Sequence, residues 1–212
     1  MAGTWQGSAW AATVTPQEAA TALFRERYGE AALAEAVTVF APGRVNLIGE
    51  HTDYNGGHVM PLALKFRTVI VGRRTPGSAN SCKIASANTL EGAVASFNGD
   101  GGLKPEPQSS STRWTNYVKG VIAQYVADCG GAIGLELAVA SDVPMGSGLS
   151  SSAALEVATA NLIETVYGVH AGAATGAKPG SMAAKIARAL RCQKCEHEFC
   201  YTNCGIMDQF IS

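Results

Sequence analysis

The stretch LELAVASDVPMGSGLSSSAALEVATANLIETVY, residues 135–167, joins an apolar strand to a long helix through a loop of glycine and serine. Residues 135–140 are mostly apolar and 151–167 are strong helix formers, which predicts a buried strand followed by a helix. Further helices are predicted at 15–28, 114–126 and 182–195, and further strands at 36–40, 59–64, 67–72, 83–87 and 93–97. Because strands and helices mix along the chain, we expect an α+β fold with helices over one face of a sheet.

The composition indicates a globular protein. Of 212 residues, 47% are hydrophobic and only 16% charged, which excludes a disordered chain, and the formal net charge of -1 gives no electrostatic basis for binding nucleic acid or a membrane surface. No apolar run approaches the roughly 20 residues of a membrane helix. The first 24 residues contain no Lys or Arg, so no secretory or transit peptide is visible and we expect a cytoplasmic protein.

The glycine–serine loop, residues 144–152 (PMGSGLSSS), has the composition of a phosphate site. It precedes a helix, whose N-terminus carries unpaired N–H groups and partial positive charge. Gly146 and Gly148 allow close approach of the backbone to oxygens, and one of the serines could ligate Mg2+. No G-K-[ST] follows, so it is not a Walker A loop. An ordinary strand-to-helix turn capped by serine remains the alternative.

A polar cluster follows the first predicted strand, in residues 43–57 (GRVNLIGEHTDYNGG). Arg44, Glu50, His51 and Asp53 crowd a short stretch, and their side chains can pair with sugar hydroxyls, carboxylates or phosphates. The alternative is a loop of solvated charges.

A second cluster lies at residues 204–209 (CGIMDQ). Asp208 sits between apolar residues after a glycine turn, so it is either a helix-cap group or a partly buried functional carboxylate. Glu196, twelve residues earlier, is best interpreted from the sequence alone as a surface charge at the end of a helix.

Four of the six cysteines form a C-x2-C-x4-C-x3-C pattern at positions 192, 195, 200 and 204. Zinc sites usually pair two short knuckles across a longer loop, whereas only four residues separate these pairs. Reduced thiols, some of them buried, are therefore the favoured interpretation, with a zinc site as the alternative.

Residues 43–57, 143–153 (VPMGSGLSSSA) and 204–209 together resemble the galactokinase family of the GHMP small-molecule kinases, and residues 114–120 (WTNYVKG) also match it. The resemblance implies a GHMP-kinase N-terminal domain with a mixed β-sheet over residues 20–212, preceded by an extension over 1–19. It also implies that the family's C-terminal domain, with a further glycine-rich loop, is absent from this chain. We expect a monomer.

The function that the resemblance implies is transfer of the ATP γ-phosphoryl group to the anomeric hydroxyl of α-D-galactose, giving galactose 1-phosphate. Asp208 would be the catalytic base and Arg44 would stabilise developing charge. The sugar would be bound by Arg44, Glu50, His51, Asp53, Gly205 and Asp208. ATP would be bound by Gly146, Ser147, Gly148, Leu149, Ser150, Ser151 and Ser152. Mg2+ would be held by Ser152 and Glu196.

Two alternatives stay open. One is a non-catalytic sensor of galactose and ATP that regulates transcription through a protein partner; the intact serine run and the presence of Arg44 and Asp208 favour the enzyme. The other is phosphorylation of N-acetylgalactosamine, since no residue that would accept an acetamido group is identifiable.

Overall fold

The computed structural model describes residues 14–77, 80–89 and 94–212. It begins with helix α1 (Pro16–Tyr28), whose start is fixed by a capping box: Thr15 accepts a hydrogen bond from the backbone of Glu18, and the Glu18 carboxylate accepts one from the Thr15 N–H at 2.7 Å. Gly29, at φ 88°, ends the helix, and a short helix α2 (Glu30–Ala34) follows. The predicted boundary after residue 19 falls inside α1, and residues 1–13 of the predicted extension lie outside the described part.

The described residues form one six-stranded sheet in the order β1-β2-β6-β3-β4-β5. β3 and β6 run parallel, and the other neighbouring pairs are antiparallel, so the sheet is mixed. The strands are β1 (Val37–Asn46), β2 (Pro61–Arg74), β3 (Ser81–Ser86), β4 (Val94–Asp100), β5 (Ala132–Ile133) and β6 (Leu135–Ser141).

Helices cover both faces of this sheet. Helices α3 (Asn116–Tyr125), α4 (Ser151–Tyr167) and α5 (Met182–Phe199) enclose the larger core on one face. The smaller core lies under α1 on the other face, a placement that the sequence pattern does not predict. The strand period of two explains the division: Val69 and Val71 pack with α1, whereas Ile70 between them packs in the larger core. The predicted α+β class is confirmed.

Two strand boundaries differ from the prediction. The strand predicted at 36–40 does not end at the turn-like residues 41–43; strand β1 continues to Asn46, with a register shift between Pro42 and Arg44. A proline is tolerated there because β1 is the edge strand, where a missing N–H need not break the ladder. The two strands predicted at 59–64 and 67–72 are one long strand, β2.

Helix α5 is also longer than predicted and continues past residue 195 to Phe199, so Glu196 lies within it. After a connection of seven residues, a short helix α6 (Met207–Ile211) closes the described chain and carries Asp208 in its first turn. In the described part of the chain, the helices are too short or too polar to cross a bilayer.

The centre of the sheet provides a stability prediction. Leu137 in β6 is fully buried in the larger core, so Leu137→Ala should lower the free energy of unfolding by about 2–5 kcal/mol, since it removes apolar contacts and leaves a cavity. Leu190→Ala is the matched control, because Leu190 in α5 is 48% exposed, and it should change that free energy by no more than about 0.5 kcal/mol. Urea unfolding measures both. Equal losses would contradict the core assignment.

Candidate active site

An ion pair between Arg44 and Asp208 joins β1 to α6. Arg44 Nε and Nη2 both donate to Asp208 Oδ1 at 2.7 Å, while Nη1 donates to the carbonyl of Gly148 in the glycine–serine loop. The side chains are 12% and 30% exposed respectively, so the guanidinium is nearly enclosed and the carboxylate keeps an accessible side. All three predicted motifs therefore meet at one place, through one arginine.

Ser150 holds the second carboxylate oxygen, which the sequence does not predict. Its backbone is in the left-handed region at φ 58°, and its hydroxyl donates to Asp208 Oδ2 at 2.6 Å. Although it is the N-cap residue of α4, its side chain therefore makes no capping hydrogen bond to that helix. The first N–H groups of α4 are left for another acceptor, as an anion site requires.

The glycine–serine loop is open where a ligand would approach it. Gly146 and Gly148 both have positive φ, at 70° and 75°, and a Cβ built on either would meet no heavy atom within 4 Å. Ser147 instead turns its hydroxyl inward and donates to the Pro144 carbonyl at 2.7 Å. The exposed loop and the start of α4 thus form a shallow polar cradle beside Asp208.

Strand β1 packs directly against this loop. The Arg44 N–H donates to the Leu149 carbonyl at 3.1 Å. A Cβ on Gly43 would lie 2.8 Å from that same carbonyl oxygen and 2.8 Å from Val143 Cγ1, so only glycine fits there without a shift. The close approach of β1 to the loop at Gly43 places Arg44 next to the loop.

Asp53 and Gly205 form the opposite wall. Asp53 Oδ2 accepts a hydrogen bond from the Met207 N–H at 3.3 Å, which ties residues 53–55 to the start of α6. A Cβ on Gly205 would lie 1.7 Å from Asp53 Oδ2, so any larger residue would displace the carboxylate. Asp53 therefore lies against residues 205–207, directly before Asp208 in the chain.

Glu50 and His51 lie on the exposed loop that precedes Asp53. His51 has φ 61°, and its Nδ1 is hydrogen-bonded to the hydroxyl of Tyr54. Within the described ranges, no hydrogen bond or ion pair joins Glu50 or His51 to Arg44, Asp53 or Asp208. The structure leaves these two side chains at the rim of the site, and their predicted sugar contacts stay a prediction.

Glu196 is not the surface charge that its position first indicates. It is only 5% exposed, and the Ser152 side chain at the start of α4 lies beside its carboxyl group. Burial raises the pKa of this carboxyl and the nearby Asp208 raises it further, while the Ser152 hydroxyl and the charge of His197 lower it. A neighbouring carboxylate and hydroxyl offer oxygen ligands of the type that Mg2+ prefers, so this pair fits the ion.

The arrangement suits transfer of a charged group to a hydroxyl. A carboxylate held by an arginine lies beside a helix N-terminus, and a pair of oxygen ligands lies at the first turn of that helix. Phosphoryl transfer depends mainly on such positioning and charge stabilisation. The sequence alone missed the Ser150–Asp208 bond because a left-handed serine leaves no signature in the residue pattern.

Gly43 provides the prediction for this site. Gly43→Ala should lower the free energy of unfolding by about 1–3 kcal/mol, because its methyl group would press on the backbone of the loop and force strand and loop apart. Gly101→Ala is the matched control, since a Cβ there meets nothing within 4 Å and no unusual φ is involved. Urea unfolding would contradict the packing if both variants lost the same free energy.

Two family models match the chain. Residues 22–74 match the galactokinase galactose-binding signature, and residues 116–212 match the N-terminal domain of GHMP kinases. Among solved structures, the chain resembles Lactococcus lactis galactokinase complexed with galactose, with 32% identity and a TM-score of 0.75 over 90% of this chain and 44% of that one. Mevalonate kinase from Methanococcus jannaschii shares the fold, at 17% identity and a TM-score of 0.64 over 82% of this chain and 50% of that one.

The curated relatives that the chain matches are also galactokinases. Human and dog galactokinases are each 43% identical over 193 residues, which cover 89% of this chain and 44% of each relative. The chain thus spans a little under half the length of these relatives. The signature, the domain match and these identities agree with the site geometry, and over the part that it spans the chain is similar to the galactokinases of the GHMP-kinase family.

Proposed function

We propose that the protein transfers the γ-phosphoryl group of ATP to the anomeric hydroxyl of α-D-galactose, giving galactose 1-phosphate and ADP. The observation that carries this proposal is the Asp208 carboxylate, held by Arg44 and Ser150 beside the N-terminus of α4. The galactose bound to the Lactococcus relative supports the choice of sugar.

The sugar binds on the side of Asp53 and Gly205. Asp53, oriented by the Met207 N–H, accepts hydrogen bonds from hydroxyl groups, and Gly205 leaves the room that the Asp53 carboxylate occupies beside the sugar. Glu50 and His51 on the rim supply further partners once the sugar is bound. Charge-assisted hydrogen bonds of this kind make the site specific for the arrangement of hydroxyl groups on the sugar.

The phosphates of ATP bind on the side of the glycine–serine loop. Backbone N–H groups of Gly146, Ser147, Gly148 and Leu149, with Ser150, Ser151 and Ser152 at the start of α4, form the cradle. The uncapped first turn of α4 contributes partial positive charge toward the phosphate oxygens.

Ser152 and Glu196 hold Mg2+. The neighbouring hydroxyl and carboxylate oxygens are ligands that fit the ion. When bound, Mg2+ neutralises phosphate charge.

In the reaction itself, Asp208 orients the anomeric hydroxyl and accepts its proton as the bond from that oxygen to phosphorus forms. The bond from the γ-phosphorus to the bridging oxygen breaks, and ADP leaves. Arg44 keeps Asp208 in place and offsets negative charge at the reacting centre.

Asp208→Asn tests the assignment of the base. The amide keeps the size of the side chain but cannot accept the proton, so galactose-dependent ADP release should fall by at least about 100-fold while galactose binding is largely retained. Asp128→Asn, which alters a partly exposed ion pair with Arg191 outside the site, is the matched control and should leave the rate unchanged.

Coupled ADP release and calorimetric galactose binding should be measured on the same samples. Normal turnover in Asp208→Asn would refute the mechanism. Galactose and ATP binding without turnover in the parent protein would contradict catalysis by this chain alone and leave an incomplete enzyme or the sensor, and faster turnover with N-acetylgalactosamine would overturn the choice of sugar.

Glu196→Gln tests the ion site separately. Loss of the charged ligand should raise the Mg2+ concentration for half-maximal rate by at least about tenfold. Glu198→Gln is the control, because Glu198 lies two residues along the same helix but is exposed. If the two variants have the same Mg2+ dependence, Glu196 does not hold the ion.

A further inference from the structure

A second group of potential metal ligands lies behind the active site. Glu156 in α4, Cys195 in α5 and Cys200 at the end of α5 each present one ligand atom, and these three atoms lie within 4.8 Å of one another. None of the three has a part in the proposed phosphoryl transfer.

The carboxyl of Glu156 is the least expected member. It is fully buried in the first half of α4, and its Oε2 accepts a hydrogen bond from the Gln209 side chain at 3.3 Å. No nitrogen or oxygen donor among the described residues reaches its Oε1. A buried carboxyl oxygen without such a partner costs free energy, which a cation beside it would offset.

The two thiols approach this carboxyl from α5. Cys195 is buried, and its sulfur packs so closely on α3 that a Cβ on Gly120 would lie 2.4 Å from it. Cys200 caps α5 and is only partly buried, so it gives an ion a route from solvent. Cys195 is thereby fixed by packing, whereas Cys200 is partly accessible to solvent.

We propose that Glu156, Cys195 and Cys200 bind a zinc ion, or another borderline-soft divalent cation. Two sulfurs and one carboxylate oxygen form a ligand set that zinc accepts, and the oxygen-seeking Mg2+ does not favour thiolates. Water completes the tetrahedron. The ion displaces the thiol protons, and any proton on the carboxyl, into solvent. Ligand atoms around tetrahedral zinc lie roughly 3–4 Å apart, so the cluster contracts by small side-chain movements.

The site adjoins both catalytic assignments without overlapping them. Cys195 precedes Glu196 in the chain, and Gln209, the partner of Glu156, follows Asp208. A bound ion therefore links α4 to the end of α5, next to Glu196. It should also raise the midpoint of thermal unfolding, because it binds the folded state preferentially.

The experiment is a metal titration of the purified, reduced and metal-free protein with excess Mg2+ present to fill oxygen sites. We expect one equivalent of Zn2+ to bind, and Co2+ in its place to give thiolate charge-transfer and tetrahedral d–d absorption bands. Cys195→Ala combined with Cys200→Ala should abolish those bands and weaken binding by at least about 100-fold, and Glu156→Gln should weaken it by at least about tenfold.

Cys129→Ala is the matched control, since Cys129 lies outside the cluster, and it should bind as the parent does. Unchanged stoichiometry and bands in the double variant would overturn the proposal, because the ion would then sit elsewhere. A Cys195–Cys200 disulfide in the freshly isolated protein, seen by mass spectrometry, would also overturn it. These readouts need neither galactose nor ATP, so a negative result leaves the kinase proposal untouched.

Discussion

The pair of Arg44 and Asp208 is the contact on which the site depends. The two residues are 164 positions apart, and no local structure brings them together. All three nitrogens of the guanidinium donate hydrogen bonds at the site. Two of them donate to one carboxylate oxygen of Asp208, and the third donates to the loop carbonyl of Gly148. Because an arginine fork fixes direction as well as distance, it sets the orientation of α6 against the loop. Removing either partner would leave the other poorly compensated.

Much of the fold could be predicted because its signals are local. Helix α4 has its predicted bounds, and α1 begins at its capping box, because a few adjacent residues determine where each helix starts. The end of β1 was predicted wrongly because Pro42-Gly43 is typical of a turn, whereas the edge of a sheet tolerates both residues. Whether a strand lies at an edge depends on the whole topology, which local pattern does not contain.

The site shows the same division. Residue types identified the three motifs, but their meeting point depends on long-range packing. Glu196 looked like a surface charge because a helix position says nothing about what packs on it; α4 buries it against Ser152. The spacing of the four cysteines at 192–204 did not favour a zinc site, because no long loop separates the two cysteine pairs. The structure brings in a carboxyl from α4, 39 positions before Cys195, which no spacing rule along that run could include.

The edge position of β1 also bears on how copies of the chain meet. An edge strand of ten residues offers unpaired backbone groups to any other extended segment. Here Pro42 has no N–H to offer, the register shift beside it bends the strand, and the Asn161 side chain donates to the Phe40 carbonyl at 3.2 Å. The dipeptide before Arg44 therefore also makes this edge a poor template for strand addition, so the residues that bring Arg44 to the loop also limit strand pairing between copies of the chain.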